Sequence, residues 1–122
     1  MLYITRFFPD TYISGQGIWE KVDEQHRVFV EIKEGEVLGY IYAVLDDGDE
    51  NLGYIEYVGV AERARGQGIG EKLLRTSLTW LFAEKGVREV GLNVLDTNAN
   101  ARGLYEKVGF HLKYSGIDLR LT

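Results

Sequence analysis

The run Arg65-Gly66-Gln67-Gly68-Ile69-Gly70 has the residue types needed to hold an anion. It follows Leu52–Val60, which reads as a strand, and it leads into apolar residues at helical spacing. A helix start presents amide N–H groups without intrahelical partners, together with the positive end of the helix dipole, and both favour an anion. Glycines at alternate positions let an oxygen-rich group approach the backbone closely. Arg65, with Arg63 near it, supplies charge-assisted hydrogen bonds to phosphate. Together these features suit a diphosphate cradle. A dinucleotide loop of the form G-x-G-x-x-G needs a glycine where Glu71 stands, and no Gly-Lys-Ser/Thr triplet supports a nucleoside-triphosphate loop. A glycine-rich turn that only starts a helix stays open.

Few other side chains offer chemistry. Glu56 is a carboxylate among Ile55, Tyr57 and Val58, so it either accepts a proton in that apolar setting or faces outward from its strand. Tyr105 and Asn98 lie on or before a later helix, where the bland readings are packing and capping. There is no cysteine, which excludes disulfides, thiolate metal sites and cysteine nucleophiles. The two histidines, His26 and His111, are far apart in the chain and exclude a multi-histidine metal site. The net charge of −5 disfavours a nucleic-acid backbone and suits a cationic substrate such as an amine. No apolar run reaches the ~20 residues of a membrane helix and no signal segment is evident, so the cytoplasm is the expected location.

The elements that must position these residues follow from periodicity. At 122 residues and 45% hydrophobic, the chain suits one domain over 1–122 with a substantial core. Val28, Val30 and Ile32 alternate as a strand, Glu34-Gly35-Glu36 turns, and Val37–Val44 forms the next strand. Asp46–Asn51 is a loop of turn formers before Leu52–Val60, completing an antiparallel meander. Ile69, Leu73, Leu74, Leu78, Leu81 and Phe82 form one stripe of a helix over Gly70–Lys85, closed by Gly86. Val90, Leu92 and Val94 alternate as a strand, and Asp96, Thr97 and Asn98 offer caps for a second helix ending before Gly109. Phe110–Ser115 and Ile117–Leu121 read as a strand pair turning at Gly116. The first 25 residues are irregular, with a short helix expected around Ile18–Val22. The order predicts an α+β domain with helices packed on a mixed sheet.

With these residues in place, the sequence resembles the GNAT superfamily of N-acetyltransferases. The family's acetyl-CoA motif, Arg/Gln-x-x-Gly-x-Gly/Ala between a strand and a helix, is matched by Arg65, Gly68 and Gly70. A second feature, an asparagine followed seven residues later by a tyrosine and Glu-Lys-x-Gly-Phe, is matched by Asn98 and Tyr105 to Phe110. The resemblance runs from Val28 to the C-terminus. It implies a central mixed, mainly antiparallel sheet with helices on both faces. It also implies that the strand carrying Val58, Gly59 and Val60 bulges and splays from the one near Val90–Leu95. Coenzyme A would lie in that gap, its pantetheine pairing with the backbone of Tyr57–Val60 and its phosphates on Arg65, Gly66, Gln67, Gly68, Ile69 and Gly70. The resemblance makes Tyr105 the general acid, Glu56 a candidate general base, and Asn98 either a pantetheine partner or a helix cap.

The resemblance is weakest at the start. Fewer than 28 residues precede the first clear strand, so the N-terminal strand and helix that wall the family's acceptor pocket are expected to be short or absent. The acceptor would be a primary amine of a small molecule or of a protein N-terminus. Phe7, Phe8, Tyr12 and Trp19 suit burial either against a homodimer mate or partner domain that completes the N-terminal side, or against their own sheet, and both readings stay open. The rival is a non-catalytic acyl-CoA sensor, a role that needs neither Tyr105 nor Glu56.

Overall fold

The computed structural model describes residues 25–93, 99–112 and 118–122. The helix expected near Ile18–Val22, the capping group Asp96–Asn98, Val94 and the Gly116 turn lie outside the described residues. A meander comes first: β1 (His26–Lys33), β2 (Glu36–Leu45) and β3 (Leu52–Val60), each antiparallel to the next. Glu34 and Gly35 join β1 to β2 with φ of 52° and 79°, the twin positive angles of a hairpin turn whose twist matches the strands. In the β2–β3 loop, the Asp46 and Asp49 carboxylates accept from the amides of Gly48 and Asn51 at 3.0 and 2.9 Å, fixing the turn locally.

After β3, a short 3₁₀ turn (Glu62–Ala64) leads to α1 (Ile69–Thr79), whose coil continues as a wider π-turn over Trp80–Glu84. The spacing predicted one regular helix to Lys85. The wider turn carries Trp80 and Leu81 together into the core, with the Lys85 amide bonded to the Trp80 carbonyl at 3.0 Å. β4 (Glu89–Asn93), α2 (Ala99–Val108), β5 (His111–Leu112) and β6 (Asp118–Leu121) complete the fold. The sheet is six-stranded in the order β1-β2-β3-β4-β6-β5, antiparallel except between β3 and β4. β6 inserts between β4 and β5, because the final strand returns along β4 after its turn.

The core forms where α1 lies on β2 and β3. Leu73, Leu74, Leu78 and Leu81 meet Ile41, Ala43 and Ile55, with Tyr105 and Phe110 closing the side nearest α2. The helix sits very close to the sheet. A Cβ at Gly53 would stand 2.8 Å from a Leu81 methyl, so only glycine fits under that turn. No helix among the described residues is long and apolar enough to cross a membrane.

Candidate functional site

The site starts from a conflict within β3. Its parallel pairing with β4 covers only Leu52, Gly53 and Tyr54, matched to Glu89, Val90 and Gly91. Beyond that point β3 stays on β2 as far as Val60, while β4 stays on β6, ending with Asn93 opposite Asp118. The two strands therefore separate, and one edge of β3 from Ile55 onward is unpaired among the described residues. A bulge sits where they part: Tyr57 pairs with Tyr42 and Ile55 with Ala43, so Glu56 faces no partner on β2. The extra residue resets the alternation. Val58 and Val60 turn towards the core, and Tyr57 goes to the other face, 50% exposed and stacked on Tyr42 at 6.2 Å between centroids.

β3 then delivers the chain to the glycine loop. The Ala61 amide bonds to the Leu38 carbonyl at 2.7 Å and anchors the exit from the sheet. Gly66 and Gly68 adopt φ of 82° and 79°, a region that L side chains occupy at a cost, and nothing lies within 4 Å of a Cβ at either. Gly68 is the N-cap of α1, and no side chain caps the helix. The amides of its first turn are thereby left for whatever occupies the loop. Arg65 donates from Nε to the Val60 carbonyl at 3.3 Å, holding its guanidinium at the loop. Arg63 pairs instead with Glu36.

These pieces border a groove of about 720 Å³ lined by Val58, Gly59, Val60, Arg65, Gly66, Gly68, Ile69 and Gly70 on one side. Leu104, Tyr105 and Lys107 of α2 form the other. Gly70 lets α2 close in, since a Cβ there would sit 3.3 Å from a Leu104 methyl. Tyr105 is only 5% exposed, its ring edge-on to Phe110 at 6.0 Å, and its hydroxyl has no hydrogen-bond partner among the described residues. Burial pushes its pKa above the ordinary phenol value, so it holds its proton at neutral pH. Glu71 at the helix start receives Lys107 at 2.8 Å and Arg75 at 3.4 Å. The Lys107 hydrogen bond is the chief reason its carboxyl titrates below the usual range.

The candidates read from the sequence divide. Eight of the ten proposed cofactor contacts and Tyr105 border the groove. Gln67 is exposed and does not line it, because the two left-handed glycines beside it turn its side chain out. Asn98 lies outside the described residues. Glu56 opens into a second cavity of about 330 Å³, with Tyr54, Ile55, Leu92, Asp118 and Arg120. His26 sits on β1 with its ring 6.1 Å from Tyr42, and His111 is exposed on β5; neither lines the groove. Sequence reasoning missed Glu71, Leu104 and Lys107. Leu104 and Lys107 stand three residues apart on α2, a spacing that places both on one helix face and could have found them.

Comparison with known proteins agrees with this geometry. Residues 3–110 match the model of the acetyltransferase (GNAT) family. An N-alpha-acetyltransferase of Sulfurisphaera tokodaii is 35% identical over 91 residues, covering 67% of this chain and 54% of that protein. A mycothiol acetyltransferase of Amycolatopsis mediterranei is 34% identical over 93 residues, covering 71% of this chain and 31% of that one. The chain thus spans a third to a half of the length of these relatives. Among solved structures, Ard1 from Thermoplasma volcanium superposes with a TM-score of 0.77 at 23% identity, covering 98% of this chain and 87% of that one. The match over most of the sequence, the splayed strands and the glycine loop at a helix start converge: the chain belongs to the acetyltransferase (GNAT) family.

Proposed function

We propose that this chain, acting as one domain, transfers the acetyl group of acetyl-CoA to a primary amine of a small molecule or a protein N-terminus. The observation that carries the reading is one groove holding both an uncapped, glycine-rich helix start and a protonated tyrosine whose hydroxyl has no partner among the described residues. Its donors fit the cofactor. Helix amides and Arg65 suit a diphosphate, and the free edge of β3 suits an amide-bearing arm.

Bound acetyl-CoA supplies a thioester carbonyl open to nucleophilic attack. Glu56 takes the proton of the incoming ammonium, directly or through water, so that the nitrogen can form the new C–N bond. Backbone N–H groups at the free edge of β3 stabilise the negative charge that develops on the carbonyl oxygen. Tyr105 gives its hydroxyl proton to the sulfur as the C–S bond breaks; the second proton shed by the nitrogen passes to solvent, from which Tyr105 is reprotonated. The products are the N-acetylated amine and free coenzyme A.

Thiol release from acetyl-CoA, measured with a panel of primary amines, tests the reading. Amine-dependent release is expected. Binding of acetyl-CoA with no release for any amine would instead make the chain an acyl-CoA-binding sensor.

A further inference from the structure

The second cavity lies at the foot of the β3–β4 split, and only Tyr57 separates its Glu56 from the groove residue Val58 along β3. Its lining has a definite charge balance. Arg120 is the one cation there, and it is already engaged. Its Nε and Nη2 donate to the two oxygens of Asp118 at 3.0 and 3.4 Å, and its Nη1 donates to Glu89 at 3.3 Å. Its side chain is 14% exposed and lies flat across Gly91, where a Cβ would stand 3.0 Å from the guanidinium carbon. The Tyr54 ring lies 5.7 Å from the same carbon. A guanidinium held this way has its Nε–Nη2 edge filled and its charge offset by two carboxylates, so it offers little to an incoming carboxylate.

Glu56, by contrast, makes no hydrogen bond or ion pair among the described residues. Glu56 and Asp118 in the lining, with Glu89 bonded to Arg120 beside it, set three negative charges against one positive. Asp118 keeps acceptor capacity beyond the two bonds it receives, since a carboxylate offers about four lone-pair sites.

We infer that the acceptor entering this cavity is an amine that carries a second cationic group and no carboxylate. Glu56 receives the reacting ammonium, Asp118 holds the other positive group, and the occupied Arg120 turns away free amino acids. The inference rests on the acetyl-transfer reading and narrows it to one substrate class.

Three acceptors sharing one five-carbon chain test it: 1,5-diaminopentane, 1-aminopentane and lysine, which is the diamine with a carboxylate added. Acetyl-CoA binding is titrated separately by calorimetry. For thiol release, kcat/KM should fall in that order, with the diamine ahead of lysine by at least about tenfold, as like-charge juxtaposition demands. Asp118→Asn should narrow the gap between diamine and lysine by releasing part of Arg120. Turnover with equal preference for diamine and lysine would overturn the inference and leave the transfer reading standing. So would a stronger preference for a C-terminally amidated peptide with a neutral side chain. Acetyl-CoA binding with no turnover of any amine would overturn both.

Discussion

Tyr105 is 5% exposed, and its hydroxyl makes no hydrogen bond among the described residues. Tyr105 borders the groove, and the thioester sulfur of a bound cofactor is the partner we propose for its hydroxyl. Tyr105→Phe should lower kcat by about 10²-fold, the low end for loss of a general acid, with acetyl-CoA affinity nearly unchanged. Unchanged kcat at saturating substrates would remove Tyr105 from that role. Its raised pKa also makes a stability claim. The folded state holds this proton more tightly than the unfolded chain. The contribution is therefore complete below the unfolded phenol pKa of about 10 and is lost as pH rises through the folded value. Thermal denaturation between about pH 9 and 11 should show a steeper alkaline loss for the wild type than for Tyr105→Phe. Tyr105 was legible in the sequence because it stands in a compact motif with Gly109 and Phe110. Glu71 and Lys107 were not, because a surface glutamate and lysine look alike on any helix until the partner helix is placed.

At the scale of elements, two distortions build the site: the bulge in β3 and the left-handed glycines before α1. Strands, turns and both helices could be read from alternation and spacing, and Leu52–Val60 has the bounds expected. The bulge at Glu56 could not be placed, since Ile55-Glu56-Tyr57-Val58 reads as alternation with either phase. The π-turn at Trp80–Glu84 was equally hidden, because Trp80 and Leu81 fit the edge of an ordinary helical stripe. Gly68→Ala isolates the loop's conformational demand, since no atom obstructs a Cβ there. It should cost about 1–2 kcal/mol in stability from backbone strain alone, and weaken acetyl-CoA binding beyond that; denaturant unfolding and calorimetry separate the two. Glu71 joins α1 to α2 through Lys107 while placing a negative charge beside the proposed phosphate site. Glu71→Gln should leave stability nearly unchanged, as for exposed pairs, and tighten acetyl-CoA binding more at low salt than at high salt. Weaker binding at low salt would mean that Glu71 organises the groove rather than opposing its ligand.

Over the whole molecule, the α1–sheet core is what holds the two walls of the groove in register. Leu74 and Leu81 are fully buried there, beneath the elements that carry the glycine loop. Leu74→Ala should cost about 2–5 kcal/mol in urea unfolding, and it should reduce acetyl-CoA affinity only in proportion to the unfolded fraction. The cofactor side was readable because its demands are local: a strand end, glycines and a helix start in one stretch. The acceptor side was not, because it assembles Glu56 from β3 with Asp118 and Arg120 from β6, which sequence spacing does not relate. The central claim, that the groove bordered by Val58–Val60, the glycine loop and α2 receives acetyl-CoA, is tested most directly by calorimetric titration of wild type and Arg65→Ala. Saturable one-to-one binding is predicted for the wild type. Arg65→Ala should weaken it by roughly tenfold, the equivalent of about 1.4 kcal/mol for one charge-assisted contact. Equal affinity in the two proteins, or no binding to the wild type, would contradict the account.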